Sequence, residues 1–173
     1  MIYLVRHGQT DWNKLKIFNG STETELNETG IDQSKIVRTK LVDVNFEACF
    51  SSPQKRAVQA SRIIHQGFLI TDDRLSEIVC GEFEGEAETR ESFEAFFKAS
   101  KSGKLGVESF DNFMKRNIEF CEMLEMKYSK KNILIVTHAA NARIINYYFT
   151  GKSKDYDFSK AVSCSGGIVE LNN

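Results

Sequence analysis

The residues of this chain best suited to chemistry sit at the ends of apolar runs. Ile2-Tyr3-Leu4-Val5 stops at Arg6-His7-Gly8, and Ile133-Leu134-Ile135-Val136-Thr137 stops at His138. Between them Phe46-Glu47-Ala48-Cys49-Phe50 stops at Ser51-Ser52-Pro53, with Arg56 close behind. Short runs of β-branched and aromatic residues bounded in this way read as buried strands. If the strands are parallel, their carboxyl ends open on one rim, the side on which α/β sheets bind ligands. Arg6, His7, Arg56 and His138 then converge, and Gly8 lets the backbone turn sharply or approach a ligand closely. Four cationic or cationisable groups in one pocket repel each other unless an anion lies among them. A phosphoryl group is the obvious counter-charge.

Phosphate chemistry takes several forms, and the residues separate them. The chain has no Gly-x-x-x-x-Gly-Lys-Ser/Thr loop, which argues against a P-loop nucleotidase. A cysteine phosphatase needs an arginine six positions after its cysteine; after Cys49 that place holds Lys55, and Arg56 comes one residue too late. Asp155-Tyr156-Asp157 has the spacing of aspartyl-phosphate enzymes but follows a Gly/Ser/Lys turn and reads as a solvated loop. No cluster has metal-ligand spacing, and His65 reads as a helix-surface residue. Histidine is left as the nucleophile. An imidazole attacks phosphorus only when unprotonated, and nearby arginines both lower its pKa and neutralise the phosphoryl oxygens. A covalent phosphohistidine divides one hard displacement into two easier ones. The leaving alkoxide then needs a proton, which a carboxylic acid of raised pKa can supply. Glu77, on the loop after a third short strand at Phe68-Leu69-Ile70, is the leading candidate; spacing leaves Glu28, Glu82 and Glu84 open as rivals.

These residues need a scaffold. Asn27 is a plausible N-cap for a helix whose inward stripe is Ile31, Ser34, Val37 and Leu41. Pro53 suits the first turn of the next helix, with Ser52 capping it and Arg56, Ala57, Ala60 and Ile64 continuing it. Arg56 then lies near a helix N-terminus, itself an anion site. A loop with Gly81 and Gly85 leads to a helix carrying Phe93, Phe96 and Phe97, which could line a substrate pocket. Phe110, Phe113, Met114, Cys121, Leu124 and Tyr128 mark the face of a long helix. The run ending at His138 passes into a helix over 139–149 that stops at Gly151. Ala161-Val162 and Gly167 to Leu171 read as closing edge strands.

Composition bounds the rest. A length of 173 residues suits one domain, and a net charge of −1 offers no basic surface for nucleic acid. No apolar stretch approaches the roughly 20 residues of a membrane span, and no secretory leader is visible. The four cysteines, Cys49, Cys80, Cys121 and Cys164, are scattered and form no Cys-x-x-Cys pair. Reduced thiols in a cytoplasmic protein are the expectation. No interface stripe indicates an oligomeric state.

Taken together, Arg6-His7-Gly8-Gln9-Thr10 with Asn13, Leu26-Asn27-Glu28-Thr29-Gly30, Ser51-Ser52-Pro53 with Arg56-Ala57, Leu75-x-Glu77 with Gly81-x-Phe83-Glu84-Gly85, and Val136-Thr137-His138 resemble the histidine phosphatase superfamily, which includes cofactor-dependent phosphoglycerate mutases and small-molecule phosphatases. The resemblance implies a single α/β domain over 1–173: a three-layer α/β/α sandwich around a mainly parallel sheet, with a short cap insertion at about 86–108. It implies that His7 is phosphorylated, that Arg6, Arg56 and His138 hold the phosphoryl group, and that Glu77 is the proton donor and later the base. Thr10, Asn13, Gly8 and the backbone of Ala139 would contact the phosphate or its surroundings. No metal or organic cofactor is implied, and the partner is a small phosphorylated metabolite. Two family features differ: Ala139 replaces a frequent glycine, and Gly106-Val107-Glu108-Ser109 interposes a residue in Gly-Glu-Ser. A short cap leaves an open pocket and favours a phosphatase over a mutase. A non-catalytic phospholigand-binding module would have no need of the acid.

Overall fold

A computed structural model of the protein describes residues 1–151 and 168–172. Five strands form the sheet: β1 (Ile2–Arg6), β2 (Ala48–Ser51), β3 (Ile70–Thr71), β4 (Ile133–Thr137) and β5 (Ile168–Leu171). The helices are α1 (Asp11–Leu15), α2 (Glu28–Lys40), α3 (Lys55–Ile64), α4 (Arg90–Ser102), α5 (Phe110–Tyr128) and α6 (Ala139–Thr150). The strand order is β3-β2-β4-β1-β5. β3, β2, β4 and β1 are parallel, and β5 runs antiparallel on the edge of β1.

Alternation along the strands explains the three layers. Ile2, Leu4, Ile133 and Ile135 face one way, into a core closed by Phe120 and Leu124 of α5 and Ala142 and Ile145 of α6. Val5, Leu134 and Val136 face the other way, against Val37 of α2 and Ala60 and Ile64 of α3. Every residue of β4 is buried, which is why its sequence is a continuous apolar run. A third cluster of Phe18, Cys80, Phe83, Phe96, Ala99 and Val107 is built around the inner face of α4.

Register sets the strand ends level. Arg6 pairs with Thr137, and Ser51 with Val136. His7 and His138 therefore follow at the same height, and Ser52 is level with Thr137, all on one rim.

Several boundaries differ from expectation. β2 begins at Ala48, not Phe46, whose ring instead packs edge-on against Tyr3 with centroids 5.4 Å apart. β3 covers only Ile70–Thr71, and Phe68 before it is 83% exposed. α3 begins at Lys55 with extended Gln54 as N-cap, so Pro53 lies just outside the helix. Ser52 is not that cap: its hydroxyl lies 2.8 Å from Nε2 of His138. Asn27 does cap α2, accepting from the N–H of Gly30 at 3.0 Å. His65 ends α3 as its C-cap, half-buried against Phe46. Gly151 ends α6. Cys49, Cys80 and Cys121 are free and buried. Ala161-Val162, Asp155-Tyr156-Asp157 and Cys164 lie outside the described residues. Among the described residues no helix is long and apolar enough to cross a membrane.

Candidate active site

His7 follows β1 directly, and its backbone N–H still bonds to the carbonyl of Thr137 at 2.9 Å. Its Nδ1 lies 2.7 Å from the carbonyl oxygen of Gly8. A carbonyl only accepts, so Nδ1 carries the proton and Nε2 keeps the lone pair. Burial, then Arg56, then Arg6 hold the pKa of His7 down at about 3 against the Gly8 bond. At neutral pH the ring is thus uncharged. His138 is the residue before α6, with its ring 5.0 Å from that of His7. It is fully buried, and burial with Arg56, His7 and Arg6 keeps it well below its ordinary value. Its Nδ1 is buried without a hydrogen-bond partner, an uncommon state for a native polar atom and one that a phosphoryl oxygen would relieve.

Arg56 is 1% exposed and not a solvated surface arginine. Its Nη1 donates to the carbonyl of Thr22 at 2.9 Å, and its Nη2 to that of Gly20 at 2.9 Å. The loop before α2 is thus fastened to the first turn of α3. Gln54 ties the acid into the same cluster: its Nε2 donates to the Gly20 carbonyl at 2.6 Å, and its Oε1 accepts from the N–H of Glu77 at 2.9 Å. Burial pushes the carboxyl of Glu77 above its ordinary value of 4.5, opposed by the N–H of Ile78, by Arg56 and Arg6, and by the N–H of Ala140. Glu77, Arg6 and Ala139 line a common cavity of about 280 Å³.

None of the rival carboxylates lines that cavity. Glu28 and Glu82 are exposed, and Glu84 accepts from the N–H groups of Ser21 and Thr22 at 3.2 and 2.8 Å. Three expected phosphate contacts have structural work in this geometry. Thr10 and Asn13 form the capping box of α1, each side-chain oxygen accepting from the other's N–H, at 3.2 and 3.1 Å. A Cβ on Gly8 would come within 2.2 Å of the Gly30 carbonyl oxygen. The glycine therefore serves a backbone–backbone approach between the rim and α2, which explains the Leu26 to Gly30 motif.

The matching family model, described as histidine phosphatase superfamily (branch 1), spans residues 2–165. The chain belongs to the histidine phosphatase superfamily. A metal-independent phosphoserine phosphatase of Arabidopsis thaliana is 29% identical over 99% of this chain and 76% of its own length. A 2,3-bisphosphoglycerate-dependent phosphoglycerate mutase of Cytophaga hutchinsonii is 28% identical over 84% of this chain and 75% of its own. Among solved structures, the alpha-ribazole phosphatase of Shigella flexneri superposes with a TM-score of 0.77 at 26% identity, covering 88% of this chain and 80% of that one. Relatives of this histidine phosphatase therefore include both phosphatases and mutases.

Several residues of this superfamily member escaped the sequence reading. Arg143 and Glu88 line the cavity with Arg6 and Glu77. Arg143 lies one turn beyond Ala139 on α6, so helical spacing could have found it. Gln54 and Arg116 act through hydrogen bonds between segments distant in sequence, for which no local pattern exists.

Proposed function

We propose that this histidine phosphatase is a metal-independent phosphomonoesterase acting on a small phosphorylated metabolite through a phosphohistidine on His7. The observation that carries the reading is the state of His7: neutral, with Nδ1–H committed to the Gly8 carbonyl, beside two arginines and a second uncharged histidine. The lone pair on Nε2 attacks phosphorus while Arg6, Arg56 and His138 take the charge on the phosphoryl oxygens. The bond from phosphorus to the leaving oxygen breaks, and Glu77 delivers its proton to that oxygen. The resulting Glu77 carboxylate then takes a proton from water. The water oxygen attacks phosphorus, the P–N bond breaks and its electron pair returns to Nε2. The two steps together return His7 and Glu77 to their starting protonation states.

A mutase would use the same first half-reaction but pass the phosphoryl group to a second hydroxyl, and would require a bisphosphate primer. Phosphate release from simple monoesters in EDTA, with alkaline-quench trapping of the phosphoenzyme, decides between them. We expect release to persist in EDTA, a base-stable and acid-labile phosphoenzyme, and loss of both in His7→Ala. Activity retained in folded His7→Ala would overturn the assignment of the nucleophile.

A further inference from the structure

The cavity that Arg6 and Glu77 share is walled largely by aromatic rings. Phe18, Phe93, Phe96, Phe97, Phe110 and Phe113 line it, contributed by the segment after α1, by α4 and by α5. Phe18 and Phe96 belong to the cluster around α4 and are buried, so packing alone accounts for them. Packing does not account for Phe93 and Phe97. They are 38% and 47% exposed, line the same cavity, and lie with ring centroids 6.4 Å apart at an interplanar angle of 31°. Phe93 also meets Phe18 at 4.9 Å. Large aromatic side chains left half in water beside a pocket offer apolar area that a ligand can cover.

The charged lining is mixed, with Arg6 and Arg143 beside Glu77 and Glu88, so the apolar walls and not net charge distinguish the part of the cavity away from the ester. Because Glu77 lines the same cavity, a leaving oxygen within its reach would carry its carbon skeleton in among the phenylalanines.

We infer that the leaving group is an aromatic alcohol, so that the substrate class is the phosphomonoesters of aromatic alcohols. The inference rests on the phosphatase reading above for its chemistry but on the cavity for its specificity. The leading test compares 2-phenylethyl phosphate with ethyl phosphate, whose alkoxide leaving groups are similar, and with phosphoserine and 3-phosphoglycerate. We expect kcat/KM for 2-phenylethyl phosphate to exceed each of the others at least tenfold. The double variant Phe93→Ser/Phe97→Ser should shrink the phenylethyl-to-ethyl ratio to less than threefold. Equal turnover of the two alkyl esters, or preference for a carboxylate-bearing ester, overturns the inference while leaving the phosphatase reading intact. Calorimetric binding of 2-phenylethylphosphonate and ethylphosphonate to His7→Ala separates the two claims. Tighter binding of the aromatic phosphonate without any turnover in wild type supports the pocket and sinks the phosphatase; equal binding sinks the pocket.

Discussion

At the scale of single residues the site is a set of opposed pKa shifts. Burial and two arginines press His7 down to about 3, while burial lifts Glu77 above 4.5. In the proposed reaction His7 attacks unprotonated and Glu77 acts protonated. Activity therefore needs a pH above about 3 for His7 and below the raised pKa of Glu77. For an alkyl ester we expect kcat/KM to fall as pH rises through the Glu77 pKa, and Glu77→Gln to abolish that limb. The same variant should lose about 10²–10⁴-fold in rate. On 4-nitrophenyl phosphate, whose leaving group departs as an anion, the loss should be far smaller. Ratios of wild-type to variant pH–rate profiles check this and divide out the ionisation of the substrate; an alkaline limb surviving in Glu77→Gln assigns the proton to another carboxyl. His7, Arg6 and His138 were legible in the sequence because each ends an apolar run. Arg56 was legible in place but not in state, since burial under the 19–22 loop leaves no local trace.

At the scale of elements the acid depends on an unusually well-held turn. Between Arg74 and Glu77 every carbonyl is bonded. Arg116 of α5 donates to those of Arg74, Ser76 and Glu77 at 2.7, 2.6 and 3.1 Å. Thr137 donates to that of Leu75 at 2.8 Å, and Asn141 also reaches Ser76 at 3.0 Å. Arg116 is in turn held by Glu108 through contacts of 2.8 and 2.9 Å. This gives the irregular stretch Gly106-Val107-Glu108-Ser109 a physical purpose: Glu108 orients the arginine that orients the loop of Glu77. Arg116→Lys keeps the charge but loses the fork that spans three carbonyls. We expect kcat to drop about tenfold with KM changed by less than threefold and the Glu77 limb displaced, since one kcal/mol of misplacement already costs about fivefold. Arg116→Met leaves Glu108 unpaired and should destabilise by about 3–5 kcal/mol, a cost that Arg116→Met/Glu108→Gln partly restores. A kcat loss with an unmoved limb would reduce Arg116 to a structural role. Helix α5 itself was readable from periodicity. Its arginine's targets were not, because they lie about 40 residues back along the chain, beyond any helical or strand period.

At the scale of the whole molecule the sheet order does the assembling. The strand at the start of the chain lies between β4 and β5, so residues 2–6 find partners only at 133–137 and 168–171. The parallel sheet and its three layers were legible because β1, β2 and β4 are apolar runs too short for helices and are separated by helical patterns. The extent of β3 was not, because a two-residue edge strand is set by its neighbour β2 and not by its own propensity. The consequence for function is that Arg6, His7, Arg56, Glu77 and His138 come from segments that meet only when the whole sheet is formed. A ligand that bridges them binds the folded state alone and stabilises all of it. Inorganic phosphate is the simplest such ligand, since it sets an anion among Arg6, Arg56 and the two histidines. At a concentration of 100 times its Kd it should add about 2.7 kcal/mol, or roughly 5–10 °C in Tm for a domain of this size. Chloride at matched ionic strength should not reproduce the shift, because screening weakens with burial. Arg56→Met removes a guanidinium that both fastens the 19–22 loop and faces the cluster. Its Tm should be lower at the outset and its phosphate shift should fall below a third of that of wild type. Thermal melts of both proteins across a phosphate series measure this directly. An undiminished shift in Arg56→Met would place the anion away from the rim where the strands end, and with it the site built there.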